Sequence, residues 1–518
     1  MPPLPRTGTP PVPARSHRDP GPGPGPGRKI LLIVADQLRA DALGAYGNPA
    51  APTPHLDELA ARGALFEQHY SASAPCGPAR ASLLTGLHQA AHGVVSNTAP
   101  LDPALPTLAT ALRTARIPCH VVGYTDSVHE DGRDGAEEAK GVEGVPAGFS
   151  WHTRFNLNDP GLRGWLETLR AAGYPVPPRP ADVFRPAEGT AHRARYDAEH
   201  SDTAYVADRT IDCLTEHRDE PWLILSTFLR PHPPWVAPPP YDTLYEPAAM
   251  AAPRRLPTRE AQGAVHPFLR RWIGRPGPDT AADRLTDAAV ARGRAVYLGL
   301  LTEVDHHVGR ILAALRRTGQ AEETLVVFTA DHGDTLGDQW TLGTGGFAAG
   351  AYRVPLIIAA PDRPGAPSGP RRTDRFTESV DLLPTVLDWA GVPGLPGACG
   401  RSLLPFLHGP YHDWFREQAV CEFHFRAALR DTWPWAARAE PGACRLTVLR
   451  GASHTYVRFP TLPPLLFDRT ADPGELRDLA GEPGSRPLLD AFAERVREHE
   501  RLHPGRPAGR REMTHAHG

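Results

Sequence analysis

The chain has 518 residues, enough to bury a large core and to form a main domain with a smaller one. Its formal net charge of −3 gives no general attraction to nucleic acids or acidic membranes, so we expect no nucleic-acid partner. With 41% hydrophobic and 22% charged residues, the composition is that of a soluble globular protein.

Residues 1–28 are rich in Pro and Gly, and such a segment cannot bury enough apolar surface to order itself. No apolar run is long enough for a transmembrane helix, and the pattern of a signal peptide is absent. We therefore predict a disordered leader, no membrane partner and a cytoplasmic location. The six cysteines lack C-x-x-C spacing, which signals neither a zinc site nor a disulfide framework.

Four short apolar runs predict strands that are covered on both faces. They are Lys29–Ala35, Cys119–Val122, Trp222–Phe228 and Thr324–Thr329. Helical segments lie between them, and polar residues follow each run directly. This alternation predicts an α/β fold, an α/β/α sandwich around a large, mostly parallel sheet, in which ligands bind at the carboxyl ends of the strands.

The segment Cys76-Gly77-Pro78-Ala79-Arg80 lies between the first two of these runs. Pro78 presets a helical φ and lacks the amide that a first turn leaves unpaired, so we predict a helix from Pro78 to Gly86. Cys76 would then lie just before the helix N-terminus, where unpaired N–H groups favour an anion and lower the pKa of a thiol. On these five residues alone, a buried structural cysteine is an equal alternative.

Further elements follow in the second half of the chain. Apolar residues at three- and four-residue spacing predict a long helix from Asp287 to Thr318, stopped by Gly319. We also expect a strand at Val354–Ile358, a helix at Val380–Ala390 and a last helix at Pro487–His499.

These elements suggest the following division of the chain. A catalytic domain spans residues 29–420, with polar, Pro- and Arg-rich insertions near 127–205 and 233–285. A smaller C-terminal α+β subdomain spans residues 421–500, and residues 501–518 form a tail. Such insertions usually shape the mouth of a pocket or a subunit contact, although a plain surface excursion is equally consistent.

Two strand ends carry side chains that suit a metal ion. Asp36 and Gln37 follow the first run, and Asp331 and His332 follow the last. Oxygen donors suit a hard divalent cation, and the single imidazole favours Mn²⁺ over Ca²⁺ or Mg²⁺. An Asp after a strand is often only a helix cap, but two such pairs with the Cys76 segment between them favour a metal site.

Several motifs in one order resemble a known family. They are D-Q at Asp36, C-G-P-A-R-A-S-L-L-T-G from Cys76, R-P-H-P-P from Arg230, T-x-D-H-G-x-x-L-G-D from Thr329 and L-F-D-x-x-x-D-P-x-E from Leu466. The chain resembles the sulfatase branch of the alkaline phosphatase superfamily over Lys29–Leu502. Within that branch it is most similar to phosphonate monoester hydrolases, through S-N-T-A-P-L from Ser96 and L-P-P-L-L-F-D from Leu462.

The resemblance implies an alkaline phosphatase-like fold, a hydrolase activity and a role for each matching residue. Cys76 would be converted to formylglycine by a formylglycine-generating enzyme, and one divalent ion, Mn²⁺ or Ca²⁺, would bind this residue. The other ligands would be Asp36, Gln37, Asp331 and His332. Arg80 would orient the aldehyde hydrate, His232 would protonate or stabilise the leaving oxygen, and Asn97 and Tyr124 would line the anion or leaving-group pocket. A histidine held structurally between prolines is the alternative for His232.

Two residues depart from the family pattern. Thr344 stands where the family places a lysine against the substrate anion, and neither Lys29 nor Lys140 lies in a motif that could replace it. Asp126 would repel an anionic substrate unless it is protonated, binds a cation or meets a cationic group. The alternative is that Asp126 turns outward and water fills the place beside Thr344.

We therefore expect a hydrolase of small anionic esters, phosphonate or phosphate mono- and diesters, with sulfate esters as further substrates. Tyr124 stands where arylsulfatases usually have a lysine, which favours phosphorus esters. The alternatives are a dedicated sulfatase and a weakly active pseudoenzyme that binds an anionic ligand. Related hydrolases form homo-oligomers through insertions and C-terminal arms, and the tail from Arg501 to Gly518 would serve a homo-oligomer in the same way; a disordered tail is the alternative.

Overall fold

A computed structural model describes residues 28–127, 144–157, 161–361, 371–408, 414 and 416–505. Its main feature is a mixed sheet of eight strands, in the order β5-β4-β6-β1-β7-β8-β2-β9. The strands are β1 (Lys29–Ala35), β2 (Ala64–Tyr70), β4 (Cys119–Gly123), β5 (Ser150–Arg154), β6 (Trp222–Phe228), β7 (Thr324–Thr329), β8 (Leu356–Ala359) and β9 (Arg371–Glu378). All neighbouring pairs are parallel except those of β8 with β7 and β2, so the mostly parallel sheet is confirmed.

Helices cover both faces of this sheet. They are α1 (Pro54–Arg62), α2 (Cys76–Thr85), α4 (Leu108–Thr114), α5 (Arg163–Ala171), α6 (Asp202–Glu216), α9 (Asp287–Arg317) and α11 (Leu382–Ala390). The same part of the chain also holds α3 (Gln89–His92), α7 (Arg259–Ala264), α8 (Pro267–Gly274) and α10 (Ala349–Tyr352), of which α8 and α10 pack in a separate core nearer the C-terminal region. Alternate residues of β1 pack into different cores: Leu31, Ile33 and Ala35 with α1, α6 and α9, and Ile30, Leu32 and Val34 with α2, α4 and α11. A strand buried on both faces reads as a continuous apolar run, which is why the sequence predicted it.

The helix that contains Cys76 begins two residues earlier than predicted. Pro75 is its N-cap, and the first turn closes when Ala79 N donates to Pro75 O at 2.9 Å. Because the first amides of a helix have no intrahelical partner, Pro78 fits the third helical position as well as the first. Cys76 therefore lies inside the first turn, not before it.

A second sheet of five strands lies towards the C-terminus. Its order is β13-β12-β11-β10-β3, with β3 (Ser73–Ala74), β10 (Gln418–His424), β11 (Arg445–Gly451), β12 (His454–Arg458) and β13 (Leu465–Asp468). Three more helices belong to this region: α12 (Arg426–Leu429), α13 (Pro434–Arg438) and α14 (Arg486–Leu502). The strand β3 pairs in parallel with β10 and comes from the segment directly before Cys76, so the second sheet holds one side of that segment.

The remaining predictions on the chain's organisation concern its two ends and the domain boundaries. The described residues include only Arg28 of the leader. They do not include Lys140 or the tail beyond residue 505. The domain boundaries near 421 and 501 stay predictions. Among the helices described, none combines the length and apolar character needed to cross a membrane.

Candidate active site

Strand register brings the predicted metal ligands to one edge of the large sheet. Ala35 pairs with Phe228 on β6, and Val34 pairs with Thr329 on β7. Asp36 and Asp331 follow these strands and therefore lie side by side at the carboxyl edge. Asp36 N continues the pattern by donating to Phe228 O at 3.0 Å.

Four buried side chains meet at this edge. Donor atoms of Asp36, Cys76, Asp331 and His332 all lie within 4.8 Å of one another. His332 Nε2 is 3.1 Å from Cys76 Sγ and 3.8 Å from Asp36 Oδ1. Since His332 Nδ1 donates to the Gly333 carbonyl at 3.0 Å, Nε2 is the ring nitrogen that faces the centre.

Arg80 ties this cluster together from one side. Its Nε donates to Asp331 Oδ2 at 3.0 Å, Nη2 to Asp36 Oδ2 at 3.4 Å and Nη1 to the Tyr124 carbonyl at 3.0 Å. The guanidinium carbon also lies 4.1 Å from the centroid of the Tyr124 ring, and the Tyr124 hydroxyl donates to Asp36 Oδ2. Tyr124 is thus buried behind the cluster and contacts a predicted metal ligand.

The electrostatics of the cluster fit a divalent cation. Burial, and then the neighbouring Asp331, raise the pKa of Asp36. Although burial works against it, His332 and Arg80 lower the pKa of Asp331. Asp36 Oδ1 is buried and has no hydrogen-bond partner among the described residues, as expected for an atom that binds a metal. The donor set of Asp36, Asp331 and His332 therefore fits the cation implied by the sequence.

The expected lowering of the Cys76 pKa is wrong. Burial, followed by the charges of Asp36, Asp126 and Asp331, raises the pKa of this thiol well above its ordinary value. These effects exceed any stabilisation by the helix N-terminus, so the unmodified thiol is not an activated nucleophile.

Gln37 is held by a carboxylate that the sequence prediction missed. Its Nε2 donates to Asp334 Oδ2 at 2.5 Å, and its backbone N donates to Asp331 Oδ1 at 3.1 Å. Asp334 is fully buried and also accepts from the backbone N–H groups of Leu336 and Gly343. Asp334 follows Asp331-His332-Gly333 directly, and that proximity was the available signal.

Asn97 and His232 flank the cluster. Asn97 Oδ1 accepts from Gly77 N at 2.9 Å, beside Cys76. His232 is half-buried and its Nδ1 donates to the Pro233 carbonyl at 2.5 Å, which leaves Nε2 unprotonated in the neutral ring. Burial, and then His332, lower the pKa of His232, so the ring is neutral at pH 7.

The two departures from the family pattern lie in different surroundings. Asp126 has φ +48°, and its Oδ2 lies 3.7 Å from Arg80 Nε with the side chain 30% exposed, so it faces the cluster. The hydroxyl of Thr344 is buried and has no hydrogen-bond partner among the described residues. Lys29 pairs with Glu323 at the opposite end of β1, so it cannot replace the missing cation.

A further carboxylate, Asp279, comes from the second predicted insertion. The backbone carbonyl of Asp279 accepts from Leu342 N at 2.8 Å. Its side chain lies against Gly343, where an added Cβ would be only 3.1 Å from Asp279 Oδ2. Burial raises the pKa of Asp279, and the positive charges of Arg275 and Arg284 partly offset that effect. No sequence pattern pointed to this residue.

Comparisons with known proteins agree with this geometry. The sulfatase family profile matches residues 28–392. The chain belongs to the sulfatase family. It is 36% identical to the multifunctional alkaline phosphatase superfamily protein PehA of Trinickia caryophylli, over 90% of this chain and 94% of that protein.

Two further proteins are similar to this sulfatase-family chain, one by structure and one by sequence. A phosphonate monoester hydrolase from Silicibacter pomeroyi superposes with a TM-score of 0.83 at 36% identity, covering 93% of this chain and 97% of that one. The choline-sulfatase of Rhizobium meliloti is 29% identical over 88% of this chain and 82% of its own length. These findings confirm the alkaline phosphatase-like fold and the ester hydrolase, and the family generally implies a metal ion and formylglycine.

Proposed function

We propose that this protein hydrolyses phosphonate and phosphate mono- or diesters with a formylglycine derived from Cys76 and one divalent metal ion, Mn²⁺ or Ca²⁺. Sulfate esters are further substrates. The observation that carries the proposal is the convergence of Asp36, Cys76, Asp331 and His332 within 4.8 Å, beside Arg80. The likeness to a phosphonate monoester hydrolase supports the choice of phosphorus esters.

The side chains around the cluster have separate tasks. A divalent cation there supplies Lewis-acid stabilisation, and formylglycine at position 76 supplies an aldehyde hydrate as the nucleophile. Asp36, Asp331 and His332, with Gln37, hold the cation, while Arg80 fixes both carboxylates. Tyr124 keeps Asp36 in place through its hydroxyl, and Asn97 positions the amide of Gly77 next to the nucleophile.

His232 is the group that moves a proton. Its Nδ1–H is held by the Pro233 carbonyl, so Nε2 presents a lone pair to the site. The neutral imidazole takes up the proton of the hydrate's second hydroxyl when the product is expelled, and the imidazolium formed in this way donates that proton to the leaving oxygen of the next ester. Arg230 supports this loop, because its Nη1 donates to the carbonyls of His232 and Pro234 at 3.3 and 2.6 Å.

The charges of the site favour substrates that carry one negative charge. All three nitrogens of Arg80 are already bound to protein oxygens, Asp126 adds a negative charge, and Thr344 provides no positive one. Phosphonate monoesters, phosphodiesters and sulfate monoesters carry a single charge at pH 7, whereas phosphate monoesters approach two. We expect singly charged esters to be hydrolysed most efficiently.

Mass spectrometry of the peptide that contains Cys76 tests the nucleophile. The protein is made with a formylglycine-generating enzyme, its maturation partner in this proposal, and a second cysteine peptide, that of Cys119, is the internal control. We expect an aldehyde at Cys76 and an unmodified thiol at Cys119. A thiol at Cys76, in a host that converts a control sulfatase, would contradict the mechanism and favour the pseudoenzyme.

Hydrolysis rates on three nitrophenyl esters, a phosphonate, a phosphate and a sulfate, then test the substrate class. We expect kcat/KM to be highest for a phosphonate monoester, and Cys76→Ala to abolish the activity. A sulfate ester hydrolysed faster than the phosphonate would instead favour a dedicated sulfatase, a reading that the similarity to choline-sulfatase supports. The cytoplasmic location and the homo-oligomer remain part of the proposal and are tested by fractionation and by light scattering.

A further inference from the structure

A second group of metal-binding side chains lies away from the active site, where the C-terminal helix α14 meets the region after α2. One donor atom each of His88, Cys399 and His503 lies within 4.8 Å of the other two. Cys399 Sγ is 3.1 Å from His503 Nδ1. The ten-residue helix α2 spans about 15 Å and has Cys76 in its first turn, whereas His88 lies beyond its other end.

The ring of His88 is arranged like that of a metal ligand. It is only 3% exposed, and its Nδ1 is buried without a hydrogen-bond partner among the described residues. On its other side, Nε2 lies 3.4 Å from Glu378 Oε2. This contact is not a hydrogen bond, since Glu378 Oε2 has no hydrogen-bond partner among the described residues, but a carboxylate beside one nitrogen of a histidine whose other nitrogen binds the ion is a recurring feature of metal sites. Without an ion, the buried Nδ1 would remain unsatisfied.

A third histidine, His499, packs against both of the others. Its ring centroid is 4.6 Å from that of His88 and 4.9 Å from that of His503, and the latter two are 5.3 Å apart. Imidazoles bound to one tetrahedral zinc have centroids about 5 Å apart, and the separation of the His88 and His503 rings, 5.3 Å, matches that spacing. His499 is not one of the three donors, because its Nε2 lies beside Glu422, 3.4 Å from Oε1.

The sequence around these residues reads His499-Glu500-Arg501-Leu502-His503, with His499 in the last turn of α14 and His503 four positions later, at the C-cap. This spacing is that of the H-E-x-x-H pattern, in which the Glu is a general base. Here Glu500 Oε1 accepts from Arg445 and Arg458, at 3.1 and 2.6 Å, and is not available as a base. The arrangement therefore suits a structural site and not a protease.

We propose that His88, Cys399 and His503 bind a Zn²⁺ ion that fastens α14 to the segment that follows α2. Thiolate and imidazole donors favour zinc over the hard cations that suit the oxygen-rich active site. The ion joins three stretches that are distant in the chain, and so stabilises the contact between the C-terminal region and the main sheet. This site does not depend on the hydrolase activity proposed above.

Cobalt binding tests the site, because a thiolate bound to Co²⁺ gives a charge-transfer band in the near ultraviolet. Cys76→Ala is used as the parent, so that the active site contributes no thiolate. We expect the parent, stripped with a chelator, to take up Co²⁺ and show the band. The additional change Cys399→Ser should abolish it, and Cys213→Ser should not. Cys213 is the matched control, because it lies in another group with two histidines.

Thermal unfolding gives a second readout. Zinc should raise the Tm of the parent but not that of the Cys399→Ser or His503→Asn variant, and all three should unfold at similar temperatures without metal. His503 is half-buried, so its variant keeps the test valid if the cysteine variant fails to fold. Absence of the band in the parent, or its persistence after Cys399→Ser, would overturn the proposal. Loss of the band in the Cys213→Ser variant but not in the Cys399→Ser variant would also overturn the proposal.

Discussion

Asp126 places a negative charge 3.7 Å from Arg80, in a site that must accept an anion. We predict that Asp126→Asn raises kcat/KM about tenfold for a phosphonate monoester, because it removes one repulsive charge. The gain should be larger for a phosphate monoester, which carries nearly twice the charge. Steady-state kinetics on both esters measure the effect. Asn also tolerates the positive φ of this position.

Asp126→Glu is the matched control, since it keeps the charge and should give no increase for either ester. An equal gain for the two esters would indicate a change of shape instead of charge. An unchanged rate in Asp126→Asn would place the carboxylate outside the substrate's field.

His232 should matter most for esters with poor leaving groups. We predict that His232→Ala lowers kcat/KM by about 10²–10⁴ for an alkyl phosphonate ester, and much less for a nitrophenyl ester, which needs no protonation on leaving. His192→Ala is the control, because His192 also bonds to the backbone of this region, at Trp235 O, and is half-buried. Equal losses for both esters would assign His232 a structural role.

Among single residues, the sequence predicted the active-site cluster but not the side chains that surround it. Asp36, Asp331 and His332 follow recognisable buried runs, and parallel strands bring their ends together. Asp279 could not be predicted in the same way, because it comes from an insertion whose path depends on tertiary contacts. The group formed by His88, Cys399 and His503 was missed because its members are distant in the chain and have no C-x-x-C spacing.

Among the elements, those with strong patterns were predicted closely. The long helix was expected at Asp287–Thr318 and is found at Asp287–Arg317, because a regular apolar stripe and Gly319 define it. The predicted start of α2 was wrong because a proline is acceptable at several positions of a first turn, and the sequence alone does not distinguish these positions.

One helix depends on another through a buried carboxylate. Asp305 on α9 accepts from the backbone N–H groups of Leu56 and His55, at 2.8 and 3.3 Å, in the first turn of α1. We predict that Asp305→Ala lowers the free energy of unfolding by about 1–2 kcal/mol, since it leaves these amides unpaired. Urea unfolding measures this loss.

The neighbouring His306 provides the control for that experiment. It is exposed on the same helix, so His306→Ala should change stability by less than about 0.5 kcal/mol. A loss in Asp305→Ala no greater than this would mean that water replaces the carboxylate at the start of α1.

In the molecule as a whole, the second sheet also holds the segment that precedes Cys76, the proposed nucleophile. Ser73–Ala74 pairs with β10 and is followed two residues later by Cys76. A parallel pairing of two residues between distant parts of the chain leaves no local pattern, which is why the sequence did not predict it. The C-terminal region therefore helps to position the candidate active site.

Stability of the whole molecule should depend on Glu303, a fully buried carboxyl in the middle of α9. Burial, and then Asp202, raise its pKa to about 8 from 4.5, against the effect of Arg230. The folded state thus binds a proton between pH 4.5 and 8 that the unfolded state releases, and this contribution to stability is lost as the pH rises through that range.

Replacing this carboxyl by an amide should remove that loss. We predict that Glu303→Gln is close to the wild type in stability at pH 5 but more stable at pH 8, by a few kcal/mol. Urea unfolding of both proteins across this range measures the difference, and Glu322→Gln, at an exposed carboxylate nearby in the chain, should show no such trend. If the difference between Glu303→Gln and the wild type were the same at both pH values, the carboxyl would not be protonated in the folded protein. The positive charge of Arg230 would then outweigh burial.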